Sequence, residues 1–105
     1  MRRVPRVLYI VWYEVDPSVE TEWDAWMSSS HVPEVVRRGN FLGAKRYVIR
    51  EGDSARYATF YEAGDPETLQ AYLDGPSKAL REDYNKRFGE KTKITRTFLE
   101  ETYSI

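Results

Sequence analysis

The chain has 105 residues, the length of one compact domain, and its 41% hydrophobic content is too high for a disordered segment. Lys and Arg number 16 against 17 Asp and Glu, a net charge of −1, so the basic excess through which nucleic-acid binders release counterions is missing. With no cysteine there is no disulfide, thiol nucleophile or thiolate metal site, and a chain this small would gain from packing on a second copy.

The opening MRRVPRVLYIVWYEV joins a basic head to a short apolar run. The run alternates as a strand does, carries Glu14 and lacks a small-residue cleavage site, so it reads as a mature strand and not as a signal peptide. No apolar run approaches the roughly 20 residues of a membrane helix, and the absence of cysteine fits a cytoplasmic protein. Residues 7–15, β-branched and aromatic, form the first predicted strand. Asp16 can accept a backbone N–H at a helix start, and Pro17 suits the first helical position, where its missing donor costs nothing. Val19, Trp23, Trp26, Met27 and Ser30 then share one helical face. Three serines weaken the helix and Pro33 disfavours helical dihedrals at Val32, which predicts a bend or restart there. A short helical piece, PEVVRR, should end at Gly39 in a left-handed cap.

Residues 41–50 and 56–63 read as two strands, joined by the turn EGDSA into a hairpin. Asp65 and Pro66 open a second helix, Gly75-Pro76 breaks it, and Leu80, Tyr84 and Phe88 continue one face as far as Gly89. Residues 92–103 form the last strand. The order β-α-β-β-α-β, with an Asp-Pro start recurring seven residues before Trp23 and Tyr72, predicts a ferredoxin-like α+β fold. Its four-stranded antiparallel sheet carries helices on one face, and without a linker the whole of 1–105 is one domain. Both sides of the first strands carry apolar bulk: Leu8, Ile10 and Trp12 alternate with Tyr9, Val11 and Tyr13. The bare face is therefore expected to lie against another chain or to bind something flat, and the pattern leaves open which set faces the helices.

Glu20 and Glu22 lead into Trp23, Trp26, Met27, His31, Val32 and Pro33, then Glu34 and Val35, a W-x-x-W-M-x-x-x-H-[IV]-P-E-V pattern followed by Gly39 and Phe41. A second block, ALREDYNKRFGEKTKITRTFLE, closes the chain. Together they resemble a small bacterial family of unknown function within the dimeric α/β-barrel superfamily. That resemblance implies a homodimer of two ferredoxin-like subunits with their sheets face to face. More distant members include quinone-forming monooxygenases, muconolactone isomerases, polyketide cyclases and haem-degrading enzymes, with the active cleft between helices and sheet.

His31, the only histidine, is the one side chain that ordinarily titrates near neutrality. At the mouth of an apolar cleft it could serve as a general base or orient a carbonyl, with Glu34 as a partner; it could equally cap the helix or bond a backbone carbonyl. Trp23 and Met27 read as core, and Trp26, offset from the stripe, as a cleft wall for a planar ligand. Trp12 and Tyr13 are further candidate ligand contacts. Arg46 and Arg96 could hold a carboxylate or phenolate, or join Glu14 and Glu62 in ion pairs; Arg2, Arg3, Arg6, Arg37 and Arg38 read as solvated. One histidine argues against a zinc site, and the scattered glycines make no phosphate loop. Haem on His31 is a minor option. RNA-recognition domains share the strand order, but RYATFYEA lacks the glycine of their aromatic motif. The expected function is a cofactor-independent enzyme of monooxygenase, isomerase or cyclase type acting on a small aromatic or polyketide-like molecule. A non-catalytic ligand-binding or structural dimer is the alternative. No cofactor, metal, nucleic acid or membrane is expected as a partner.

Overall fold

A computed structural model describes residues 5–105; Arg2 and Arg3 lie outside the described residues. The strands are β1 (Val7–Val15), β2 (Gly43–Glu51), β3 (Ser54–Ala63) and β4 (Thr92–Glu100). They form one sheet in the order β2-β3-β1-β4, antiparallel throughout, which is the predicted ferredoxin-like arrangement. The helices are α1 (Glu20–Trp26), α2 (Val32–Gly39), α3 (Pro66–Asp74) and α4 (Ser77–Phe88). The last strand stops at Glu100, three residues short of the expected end, and the second begins at Gly43 after a buried Phe41.

Register settles which face is which. Tyr9 lies opposite Tyr61 and Phe98, Val11 opposite Thr59 and Arg96, and Tyr13 opposite Tyr57 and Ile94. The odd-numbered β1 residues share the core with Trp23 and Met27, and with Leu80, Tyr84 and Phe88 of α4, so this face meets the helices. Successive strand residues point to opposite sides, which places Leu8, Ile10 and Trp12 on the open face. There Ile10 lies between its cross-strand partners Phe60 and Thr97. Tyr47 and Phe60 meet edge to face at 5.1 Å. Tyr47, Ile49 and Leu99 on this face remain 52%, 40% and 46% exposed.

The first helical segment corrects the expectation that Pro33 disfavours helical dihedrals at Val32, where α2 restarts after a wider turn. Residues 20–39 run on without interruption, because the stretch Met27–His31 winds as a π turn. The Val32 N–H donates to the Met27 carbonyl, five residues back, and both His31 and Val32 keep helical dihedrals. Proline has no N–H, and its ring crowds the carbonyl four residues before it; a wider turn relieves that clash without ending the helix. The inserted residue also rotates the apolar stripe. Trp23 and Met27 are buried, and the stripe then passes to His31, Val32 and Val35, while Ser30, expected on the stripe, is exposed.

The helix terminus differs too. Asn40, at φ 55°, takes the left-handed cap expected of Gly39, which is itself helical. Gly39 is required for another reason: a Cβ there would collide with the ring of Phe41. The two Asp-Pro starts behave as predicted in chemistry and differ in outcome. Asp65 accepts the Thr68 N–H at 2.7 Å and opens α3, whereas Asp16 accepts from Ser18 and opens only a single 3₁₀ turn ahead of α1. The second helical segment does break at Gly75-Pro76, as expected.

Candidate functional site

Between the helices and the inner sheet face lies a cavity of about 30 Å³, room for roughly one or two water molecules. Tyr9, Val11 and Tyr13 of β1 and Tyr61 of β3 form its floor. His31 from the π turn, Val35 of α2, Tyr72 of α3 and Tyr84 of α4 close it from above. Arg81, Asn85, Ile94 and Arg96 line it too, and these four also line an open groove of about 460 Å³ between α4 and β4. The cavity thus leads outward past two arginines.

His31 lies four residues after Met27, on the helix face that Trp23 and Met27 bury. It is 9% exposed, and its Nδ1 is sealed from solvent with no hydrogen-bond partner among the described residues. Burial pushes its pKa down from 6.5 to about 4, against a smaller upward pull from Asp83, so the ring is neutral at pH 7. Glu34, the partner considered from sequence, is instead bonded to Arg37, one turn along its own helix. Trp26 stacks on the imidazole at 5.0 Å with Phe88 and the Arg87 guanidinium around it, and is not among the cavity-lining residues.

The tyrosines differ in what they offer. Tyr84 is fully engaged: its hydroxyl accepts from Trp23 Nε1 and donates to Thr92 Oγ1, both at 2.9 Å, and Thr92 donates to the Phe88 carbonyl. That relay ties α1, α4 and β4 together. Tyr61 is 1% exposed and its hydroxyl has no partner among the described residues. Burial raises the pKa of Tyr61 and of Tyr13 well above the ordinary value, so both remain protonated donors. The Tyr9 hydroxyl accepts from Arg96 Nε at 3.1 Å and keeps its own proton to donate. The cavity therefore offers a neutral imidazole nitrogen and free phenol groups, and no carboxylate lines it.

Of the residues selected from sequence, His31, Tyr13 and Arg96 meet at this cavity. Trp12 cannot join them, because strand alternation turns it to the opposite sheet face from Tyr13; there Arg56 lies over its ring at 5.2 Å. Arg46 is committed elsewhere. It binds Asp24 Oδ1 and Ser28 Oγ, each at 2.7 Å, and lies over the rings of Trp23 and Tyr57, pinning β2 to α1. Glu62 pairs with Arg6. Sequence reasoning missed Arg81 and Asn85; they stand one helical turn apart beside the Leu80–Tyr84 stripe, a flank that periodicity alone could have marked. Among the described residues no three His, Cys, Asp or Glu side chains cluster as a metal site requires, and no helix is long and apolar enough to cross a membrane.

Three solved structures illustrate the likeness of the fold. A dimeric ferredoxin-like protein from an uncultured marine organism is 16% identical over 96% of this chain and 99% of its own, with a TM-score of 0.62. An EthD family protein from Bacillus halodurans is 19% identical over 91% and 99%, with a TM-score of 0.68. A variant of SnoaB, a cofactor-independent oxygenase from Streptomyces nogalater, is 13% identical over 95% and 96%, also at 0.68. Identities this low carry the fold and not the activity. No curated protein matches the chain. Residues 6–102 match the family described as a domain of unknown function, DUF4286, and the chain belongs to that family.

Proposed function

We propose that this protein is a homodimer that takes a small aromatic or polyketide-like molecule between its helices and sheet and transforms it without a cofactor. The observation that carries this is that two residues lining one cavity, His31 and Tyr61, each hold a buried polar atom, Nδ1 and the hydroxyl, with no hydrogen-bond partner among the described residues. Buried polar groups nearly always find partners, and each left bare costs about 1–3 kcal/mol. A bound molecule supplies both missing hydrogen bonds. His31, neutral and only weakly basic in the empty site, acts as an acceptor that orients the ligand or takes a proton that binding has made more acidic. Sheet-to-sheet pairing is supported by the apolar open face around Ile10, Trp12, Tyr47 and Phe60, and by the dimeric state of one similar structure. A cytoplasmic location, with no membrane or nucleic acid as partner, completes the proposal.

A second reading rests on the cavity's size. About 30 Å³ admits water and excludes an aromatic ring unless the helices part, which favours a non-catalytic or structural dimer with a sealed water at His31. A fragment screen read by NMR separates the two. His31 is the chain's only histidine, so its imidazole resonance identifies itself. Fragments that move that resonance in the native protein, and lose affinity in Tyr61→Phe, support the ligand site. If no fragment in a diverse aromatic set moves it, the structural reading stands.

A further inference from the structure

Two cations stand at the mouth of the cleft. Arg81 and Arg96 line both the buried cavity and the outer groove, and neither makes an ion pair among the described residues. Arg96 is held by an uncharged partner: its Nε donates to the Tyr9 hydroxyl at 3.1 Å, which fixes the direction of the guanidinium and leaves its terminal nitrogens free. Lys78 stands on the same groove, and among the described residues Glu82 is the only acid lining it, so three cations meet one carboxylate. The chain as a whole carries −1, so this local excess is not a property of the surface at large. Tyr61 and His31 line the buried cavity, and the Tyr61 hydroxyl and His31 Nδ1 have no hydrogen-bond partner among the described residues and are uncharged at pH 7.

Charge is thus wanted at the mouth, and an uncharged polar atom at the bottom. We propose that the ligand is a small organic monocarboxylate that enters between α4 and β4, its carboxylate on Arg96 and Arg81 and its far polar group on Tyr61 and His31. Guanidinium is suited to this task, since its planar fork matches the two oxygens of a carboxylate. Only the far polar group has to occupy the 30 Å³ interior; the body of the molecule lies in the space leading to the groove. A cationic ligand would be repelled at the mouth, and a neutral one would leave both arginines uncompensated. This inference rests on the cleft as the ligand site and names the chemical class that the cleft selects.

The test compares 4-hydroxybenzoate with its neutral isostere 4-hydroxybenzamide at pH 7, titrated by NMR with the His31 resonance as the reporter of position. The benzoate should bind at least about 10-fold more tightly than the amide. Arg81→Gln and Arg96→Gln should each weaken the benzoate about 10-fold and leave the amide unchanged. Tyr61→Phe should weaken both, and added salt should weaken the benzoate alone. Both arginines are exposed, so the variants should fold, which the same spectra verify. Equal affinities for the two probes, with His31 moved by each, would overturn the anionic class while leaving the cleft as a ligand site. Tight benzoate binding that is lost in the arginine variants but leaves His31 unmoved would overturn the proposed pose. Binding by neither probe would overturn the inference outright.

Discussion

Acidification from pH 7 to pH 5 should destabilise this protein, and a single residue should account for it. The imidazole of His31 is held at a pKa of about 4 in the folded chain by burial, against 6.5 when free. Between those values the unfolded chain takes up a proton that the folded chain refuses. Stability is therefore full above about pH 6.5, falls as pH drops through the window, and levels off below about pH 4. Linkage gives a loss of about 2 kcal/mol at pH 5 and about 3 kcal/mol below pH 4. Asp16, Glu34 and Asp65 also have altered pKa values, but theirs are lowered, so their contributions are lost only as pH falls below the ordinary carboxylate range. The interval from pH 7 to 5 thus isolates His31. Urea unfolding at a fixed protein concentration should show the midpoint dropping by roughly 1–2 M across that interval in the native protein. His31→Gln, which has no titrating ring, should show almost no drop. A native midpoint that does not move, or an imidazole that titrates near 6.5 by NMR, would refute the claim that this ring is buried and neutral.

Trp23→Phe should cost about 2–4 kcal/mol, since it removes buried volume and leaves the Tyr84 hydroxyl without its donor; a Tm drop of roughly 10 °C or more is expected, and one below roughly 3 °C contradicts the relay. Gly39→Ala should destabilise by about 1–3 kcal/mol, because the new methyl meets the Phe41 ring; thermal melts measure it, and a gain in stability would contradict the close approach. Tyr47→Glu combined with Ile49→Lys places charges on the open sheet face, and sedimentation should then show a monomer in place of the dimer proposed for the native protein. Retention of the dimer would move the interface elsewhere.

The sequence carries strong signals for the elements. Alternation and β-branching marked residues 7–15, and the first strand has those bounds. The Asp-Pro starts, the EGDSA turn and Gly75-Pro76 are local chemistry and were legible as such. Pro33 was misjudged because a helix has two responses to an internal proline. Ending is the commoner one, and widening by one residue depends on whether packing holds both sides in line. Here Trp23 before the π turn and Val35 after it are both buried in the same core. His31 lies on the Met27 face by spacing alone, whereas its cavity is assembled from strands and helices far apart in the chain, so the histidine was visible in sequence and its cavity was not. The faces of β1 could not be assigned because Leu8, Ile10 and Trp12 are as apolar as Tyr9, Val11 and Tyr13, and only pairing distinguishes them. The relay from Trp23 to Tyr84 spans 61 residues, beyond the reach of any local pattern. Arg46 and Arg96 looked equivalent within their strands; Asp24 engages one, and the other stands at the groove.

The central claim is that the space beside His31 receives a ligand. Its most direct test is a crystal structure of the protein soaked with small aromatic carboxylates. The account predicts density between α4 and β4, with a polar atom within hydrogen-bonding distance of both the Tyr61 hydroxyl and His31 Nδ1. A sealed cavity that holds only water, with the soaked molecules bound elsewhere or not at all, would contradict it.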